Sequence, residues 1–247
     1  PAAGRAIERE YAHRIAADAQ VRGVAEGNHA AVAEDQVQAD RGDGEDHDPA
    51  QQVELKLALA QIYENVLDLQ NTEKLAGEAL KIALSLKGKV PQFEAKARRL
   101  LASCAYSSGR FEDALQLNSD AVSGYVALGD VYKVQLGEAE IDQGVLFGIL
   151  ERKEEADRIQ IQGLAHIESA RGRDSVEYAD AQATRGLQLQ ATGRFEEARQ
   201  NFAEAALKLA KQVGEVHPKT TKARLALAGV LDQMDQSEEA EKEFARV

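Results

Sequence analysis

The 247-residue chain has one cysteine (Cys104), one methionine, no tryptophan and 4 prolines, and aromatics make up only 5% of it. A lone thiol permits no internal disulfide and no thiolate cage for zinc, which leads us to expect an intracellular setting, cytoplasmic or organellar. The scarcity of aromatics, with an apolar content that leans on Ala and Leu, is poor material for a sandwich or barrel and favours helices. So few prolines leave room for those helices to be long. No apolar run approaches the roughly 20 residues that span a bilayer, so no membrane span is expected. Basic residues are outnumbered, 30 against 42 acidic, for a net charge of −12. Non-specific attraction to phosphate backbones is therefore not expected, nor is nucleic acid as the main partner, although local basic patches stay open. At 44% hydrophobic and 29% charged, the chain has the balance of a soluble globular or repeat protein of one or two domains. Residues 1–20 are rich in Ala and Arg, as a transit peptide would be, but Glu8, Glu10 and Asp18 argue against that reading. Because the chain starts at Pro1, any targeting segment is expected to have been removed.

What the sequence does contain is a repeat. Gly109-Arg110-Phe111-Glu112-Asp113-Ala114, Gly193-Arg194-Phe195-Glu196-Glu197-Ala198 and Asp235-Gln236-Ser237-Glu238-Glu239-Ala240 align, and a period of 42 places Glu151-Arg152-Lys153-Glu154-Glu155-Ala156 between the first two. Stepping back from Ala114 reaches Thr72 and then Ala30, both small. Two antiparallel helices approach closely only where facing side chains are small, so the same frame should hold small residues at fixed places. In the first helix of each repeat that place reads Asp18, Ala60, Ala102, Gly144, Gly186 and Ala228, with Asp18 the exception. Early in the second helix it reads Ala30, Thr72, Ala114, Ala156, Ala198 and Ala240; later it reads Val37, Ala79, Ala121, Gly163, Ala205 and Val247. A larger first-helix position, Val21, Tyr63, Ala105, Phe147, Leu189 and Leu231, is apolar throughout, as one buried stripe requires.

These residues resemble the tetratricopeptide repeat (TPR) family in the long-repeat form of kinesin light chains. Leu101-Ala102-Ser103-Cys104-Ala105-Tyr106 before Gly109-Arg110-Phe111 looks like the end of that family's first helix running into its turn. Gly214-Glu215-Val216-His217-Pro218 and Gly44-Glu45-Asp46-His47-Asp48-Pro49 are similar to its inter-repeat loop. The resemblance spans about residues 11–247 and implies an all-α, right-handed superhelical solenoid of about six antiparallel helical hairpins. Gly44, Gly88, Gly129, Gly172 and Gly214 fall where second helices should stop, and Pro49, Pro91 and Pro218 follow those stops. The expected organisation is an N-terminal extension over 1–10 and one solenoid over 11–247, with repeats 11–52, 53–94, 95–136, 137–178, 179–220 and 221–247.

Chemistry-bearing constellations are sparse. His13, His29, His47, His166 and His217 are scattered with no pair at metal-ligand spacing, and the last and third fall in loop segments where a turn role is expected. Cys104 sits on a packed first helix and reads as an inert core sulfur. Acidic residues between Asp40 and Asp48 lack the alternate spacing of a calcium loop and read as solvated. No acid, base, nucleophile and orienting group converge, and no Gly-rich phosphate cradle joins a strand to a helix. The chain is therefore expected to be no enzyme and to have no catalytic residues, metal site or cofactor.

Two departures stand out. The family's first-helix Leu position reads Leu59, Leu101 and Leu227, but Gln143 and Arg185 in the fourth and fifth repeats. A charge at a buried seam costs several kcal/mol unless paired, so either Arg185 finds a carboxylate such as Asp142 or Asp180, or the seam opens to a partner.

Stacked hairpins leave first helices lining a concave surface on which a peptide or amphipathic helix can lie. The expected partner-binding groove comprises Gln61, Glu64, Lys96, Arg99, Ser103, Tyr106, Asp142, Thr184 and Arg185, with Glu54, Leu57, Ile141, Val145, Leu187 and Lys222 on the same face. Lys96 and Arg99 would meet an acid, and the apolar half would take anchors. Two family binding modes do not carry over. The carboxylate clamp of cochaperones reads Leu57 with Gln61 and Arg99 with Ser103, and the cargo-binding Asn position reads Ala58, Leu100, Asp142, Thr184 and Ala226. The leading expectation is a noncatalytic protein-interaction scaffold or adaptor. The alternative is a permanent structural subunit or assembly factor of a larger, possibly organellar, complex. The last hairpin has no polar helix to cover it, so either the chain is a truncated piece or another subunit sits there.

Overall fold

A computed structural model describes residues 48–247; the readings made above on earlier residues, including the first repeat, lie outside them. The described residues form helices joined by tight turns, with no strand among them, and divide into two compact units, one ending at Ser108 and one running from Gly109 to Val247.

In the first unit, α1 (Pro49–Asn65) and α2 (Leu69–Ser85) form a hairpin, and α3 (Pro91–Ser107) packs on both. Proline opens two of these helices. Its fixed φ suits the first turn, where a backbone N–H would have no helical acceptor. Pro49 and Pro91 thus begin the following helix as well as closing off the preceding one, and helices start about four residues before the boundaries set by the 42-residue frame. Asp48 Oδ1 accepts from the Ala50 N–H at 3.0 Å and Asp68 Oδ1 from the Asn71 N–H at 3.1 Å, satisfying donors that the helix leaves open. The core joins Val53, Leu57 and Ala60 of α1, Ala76, Ala79 and Ala83 of α2, and Val90, Ala97 and Leu100. Cys104 is buried, its thiol 3.8 Å from the Leu69 carbonyl oxygen.

In the second unit, α4 (Phe111–Leu128) and a 3-10 turn (Asp130–Tyr132) precede three hairpins. They are α5 (Lys133–Ile149) with α6 (Lys153–Arg171), α7 (Val176–Ala191) with α8 (Phe195–Val213), and α9 (Pro218–Gln233) with α10 (Ser237–Phe244). First helices touch in succession, α5 with α7 and α7 with α9, while α8 packs on α9. At the helix starts, Ser175 Oγ accepts from the Tyr178 N–H, and His217 Nδ1 accepts from the Lys219 N–H at 3.2 Å, which gives His217 a turn-capping role. Arg152 and Arg194, the Arg of the aligned hexapeptides, each grip the Glu three residues on with two bonds of 2.6–2.7 Å, Glu155 and Glu197.

The small-residue frame is the packing frame. Ala60, Ala79, Ala114, Ala121, Ala156, Ala198, Ala205 and Ala228 are all fully buried. In the second unit several helical glycines leave no room for a side chain. A methyl group at Gly137 would stand 2.6 Å from the Gly163 carbonyl oxygen, and one at Gly186 2.6 Å from Phe202 Cε1. Bulk on one helix is thus matched by its lack on the other. Phe202, Leu189, Leu227 and Val230 form one apolar cluster, and Ile141, Ile167, Tyr178 and Ala181 another.

Candidate functional site

The first helices carry the side chains expected to meet a partner, and each unit presents its own set. In the first unit, Gln61 and Glu64 stand on α1 and Lys96, Arg99, Ser103 and Tyr106 on α3. Tyr106 is exposed and the other five are half-buried. Gln61 Nε2 donates to Glu64 Oε2 at 2.5 Å. Lys96 makes no hydrogen bond or ion pair among the described residues; burial pulls its ammonium down from the ordinary Lys range, while Glu54 and Glu64 oppose that and Arg99 adds to it. Two carboxylates thus face two cations. The patch therefore carries charge of both signs. Leu57 does not belong to it: at 1% exposure it lies in the core. A helix's buried stripe is more than 100° wide, and Leu57 falls inside its edge.

In the second unit, Asp142 is half-buried on α5, and Thr184 and Arg185 are half-buried on α7. Ile141, expected on the open face, is buried at 2% exposure in the cluster with Ile167 and Tyr178. Arg185 has an internal partner, though neither carboxylate suggested by the sequence. Its Nη2 lies 3.4 Å from Asp157 Oδ1 on α6, and Asp157 also holds Arg194 at 2.5 Å. Burial pulls the Arg185 guanidinium below the ordinary Arg range, with Asp157 opposing. Asp180 pairs with Lys219 instead, at 2.7 Å. Gln143, the other departure from the Leu position, donates to Ser119 Oγ at 2.8 Å.

Thr184 enters a shallow pocket between α7 and α9. Ala183 and Leu187 of α7, Ala223, Ala226 and Lys222 of α9, the Asp180–Lys219 pair and the fully buried Phe202 of α8 also line it. Leu187 is 41% exposed although it is a large aliphatic side chain. Thr184 donates its hydroxyl to the Asp180 carbonyl at 3.1 Å. Three residues expected on one face, Thr184, Leu187 and Lys222, are therefore brought together. Phe202 stands on a second helix, which a reading confined to first-helix positions does not include. Among the described residues no three metal-ligating side chains gather, and no helix is long and apolar enough to cross a membrane.

With this geometry in hand, solved structures provide the comparison. The structure is similar over 90% of this chain and 89% of the other to the crystal structure of BtubC (BKLC) from P. vanneervenii, with 20% identity and a TM-score of 0.67. A putative kinesin light chain with nearly identical TPR-like repeats, from Podospora anserina, matches over 81% of this chain and 94% of its own, with 16% identity and a TM-score of 0.59. The fold is a TPR-like α-solenoid. A third TPR-like match is aspartyl phosphate phosphatase F from Bacillus subtilis, 15% identical, covering 81% of this chain and 50% of that one with a TM-score of 0.60. No known family profile and no curated protein matches the sequence.

One periodic feature escaped the sequence reading. Positions 56, 98, 140, 182 and 224, spaced by 42, carry Lys56, Arg98, Glu140, Gln182 and Arg224, all polar on otherwise packed helices. Three of them reach a second-helix residue 22 positions on: Lys56 to Glu78 at 2.5 Å, Glu140 to Gln162 at 2.8 Å and Gln182 to Glu204 at 2.6 Å. Arg224 instead joins Glu215 and Glu243. The periodic polarity was the available signal, and it marks a tie between the two helices of a hairpin.

Proposed function

We propose that this chain is a noncatalytic protein-interaction scaffold that receives a peptide or helix of a partner on its first-helix faces. The pocket between α7 and α9 carries the reading. Its lining joins the apolar side chains of Ala183, Leu187, Ala223 and Ala226 with the Lys222 ammonium and the Asp180–Lys219 ion pair. That composition suits one aliphatic side chain of a bound segment with a carboxylate beside it. The mixed patch of the first unit, Gln61, Glu64, Lys96, Arg99, Ser103 and Tyr106, suits polar contacts of both signs. Asp142 and Arg185 stand on the first-helix faces of the second unit as further candidate contacts, Arg185 with Asp157 as an internal partner.

A peptide-display selection on the full chain tests this. Selected sequences should share an aliphatic residue flanked by an acid. Their affinity should fall about tenfold or more when Ala226→Trp fills the pocket, since an anchoring side chain is worth more than 1 kcal/mol. Lys222→Glu should weaken binding in a salt-dependent way. Lys96→Glu, Arg99→Glu and Tyr106→Ala test the first unit in the same assay. Unchanged affinity in Ala226→Trp and Lys222→Glu would remove the pocket from the reading, and turnover abolished by a single substitution on these faces would overturn its noncatalytic part.

A further inference from the structure

Glu140 on α5 is withdrawn from solvent to 1% exposure, yet it is an acid. Its Oε2 lies 2.6 Å from His166 Nδ1, and its Oε1 accepts from Gln162 Nε2 at 2.8 Å, so both oxygens end on α6. The next hairpin holds the same three positions with the chemistry rearranged. Forty-two residues on, Gln182 replaces Glu140, Glu204 replaces Gln162 and Lys208 replaces His166. Gln182 donates to Glu204 at 2.6 Å and accepts from Lys208 at 3.1 Å. In α7/α8 the withdrawn member is therefore an uncharged amide. In α5/α6 the withdrawn member is a carboxylic acid, and its partner is an imidazole, which offers a cation only when protonated.

With one proton between them, Glu140 and His166 are neutral as a pair. Without it, a buried negative charge is left with hydrogen bonds but no compensating cation, which is costly. The packed elements supply no substitute. From α4, Asn118 donates to the Ala139 carbonyl and Ser119 meets Gln143, and neither titrates. The 3-10 turn contributes Asp130, which pairs with Lys133. From α7 comes Tyr178, its phenol pushed up by burial, with Lys208 4.8 Å from its ring centroid. On α6, Glu168 is taken by Arg173.

We propose that Glu140 and His166 share one proton as a latch between α5 and α6, closed while the proton is held and loosened as rising pH removes it. Burial raises the Glu140 carboxyl above its ordinary value, against the opposing effects of His166 and Gln162. The folded hairpin thus binds a proton more tightly than the unfolded chain does. The stabilisation is fully present below the ordinary carboxyl value and is lost as pH rises through the raised one.

Hydrogen exchange on the full chain between pH 4.5 and pH 8.5, corrected for intrinsic rates, reads this directly, because α7/α8 serves as an internal control. The protection of α5/α6 relative to α7/α8 should fall over that range, by about tenfold for each unit of difference in proton affinity between the folded hairpin and the unfolded chain. Glu140→Gln should abolish the slope. His166→Lys, which copies the neighbouring hairpin, should also abolish it, and it carries the test if Glu140→Gln does not fold. A constant protection ratio in the wild-type chain, or a slope that survives in either variant, would overturn the latch.

Discussion

Replacing a glycine by alanine should have opposite signs at two helical sites. In α7, a methyl at Gly186 would sit 2.6 Å from Phe202 Cε1, 2.8 Å from Cδ1 and 3.0 Å from Cζ. Phe202 is fully buried and packed with Leu189, Ala198 and Leu227, so its ring cannot swing away. Gly186→Ala gains about 1 kcal/mol of helix propensity, but overpacking a well-filled site costs about 1–3 kcal/mol. With no room to yield, the second effect should win, for a net loss of up to about 2 kcal/mol. In α9, a methyl at Gly229 would meet nothing within 4 Å. There only the propensity gain remains, and Gly229→Ala should stabilise by about 0.5–1 kcal/mol. Urea unfolding followed by circular dichroism at constant m separates the two. Pairing Gly186→Ala with Phe202→Leu should recover part of the loss, as contacting residues are not additive. Two single variants that shift in the same direction would refute the claim that Gly186 is fixed by the ring opposite it.

Leu67 takes φ 61° and is 79% exposed at the position where Gly109 and Gly193 stand in other repeats. Leu67→Gly should relieve roughly 1 kcal/mol of left-handed strain and raise the melting temperature of the chain; a lower one would count against that account. Arg185→Met should stay within about 1 kcal/mol of wild type in urea unfolding, because a buried ion pair is often replaced by an apolar side chain without loss and Asp157 keeps Arg194. A loss above about 3 kcal/mol, the cost of breaking a needed buried pair, would show that Arg185 holds the seam.

The 42-residue frame was legible because its cause is steric and repeats in register. Where helix backbones close up, only Ala, Gly or a similarly small residue fits, so Ala60, Gly144, Gly186 and Ala228 announce the packing in one dimension. Turn glycines were readable for a related reason: Gly88, Gly129, Gly172 and Gly214 all take positive φ, which an L side chain resists. Long polar side chains were not readable. Arg185 spans enough distance to choose among Asp142, Asp157 and Asp180, and its position in the repeat does not say which carboxylate lies within reach. The open face was blurred at its edges, since Leu57 and Ile141 lie about one helical step inside the buried stripe. Pro49, Pro91 and Pro218 carried two meanings, the end of one helix and the first turn of the next, and spacing could not separate them.

The fit between Gly186 and Phe202, and between Gly144 and Gln160, bears on how such chains diversify. Each notch accepts the protrusion it faces, and the two kinds differ in size and polarity. A crossover that joined α5 to α8 would set an amide-shaped recess against a phenyl ring, while one that exchanged α5 and α6 together would leave every internal match intact. The smallest segment that carries its own notch and protrusion together is therefore two helices long, and what an exchange must still match is the ties between hairpins, such as Asp157 to Arg185 and Arg194.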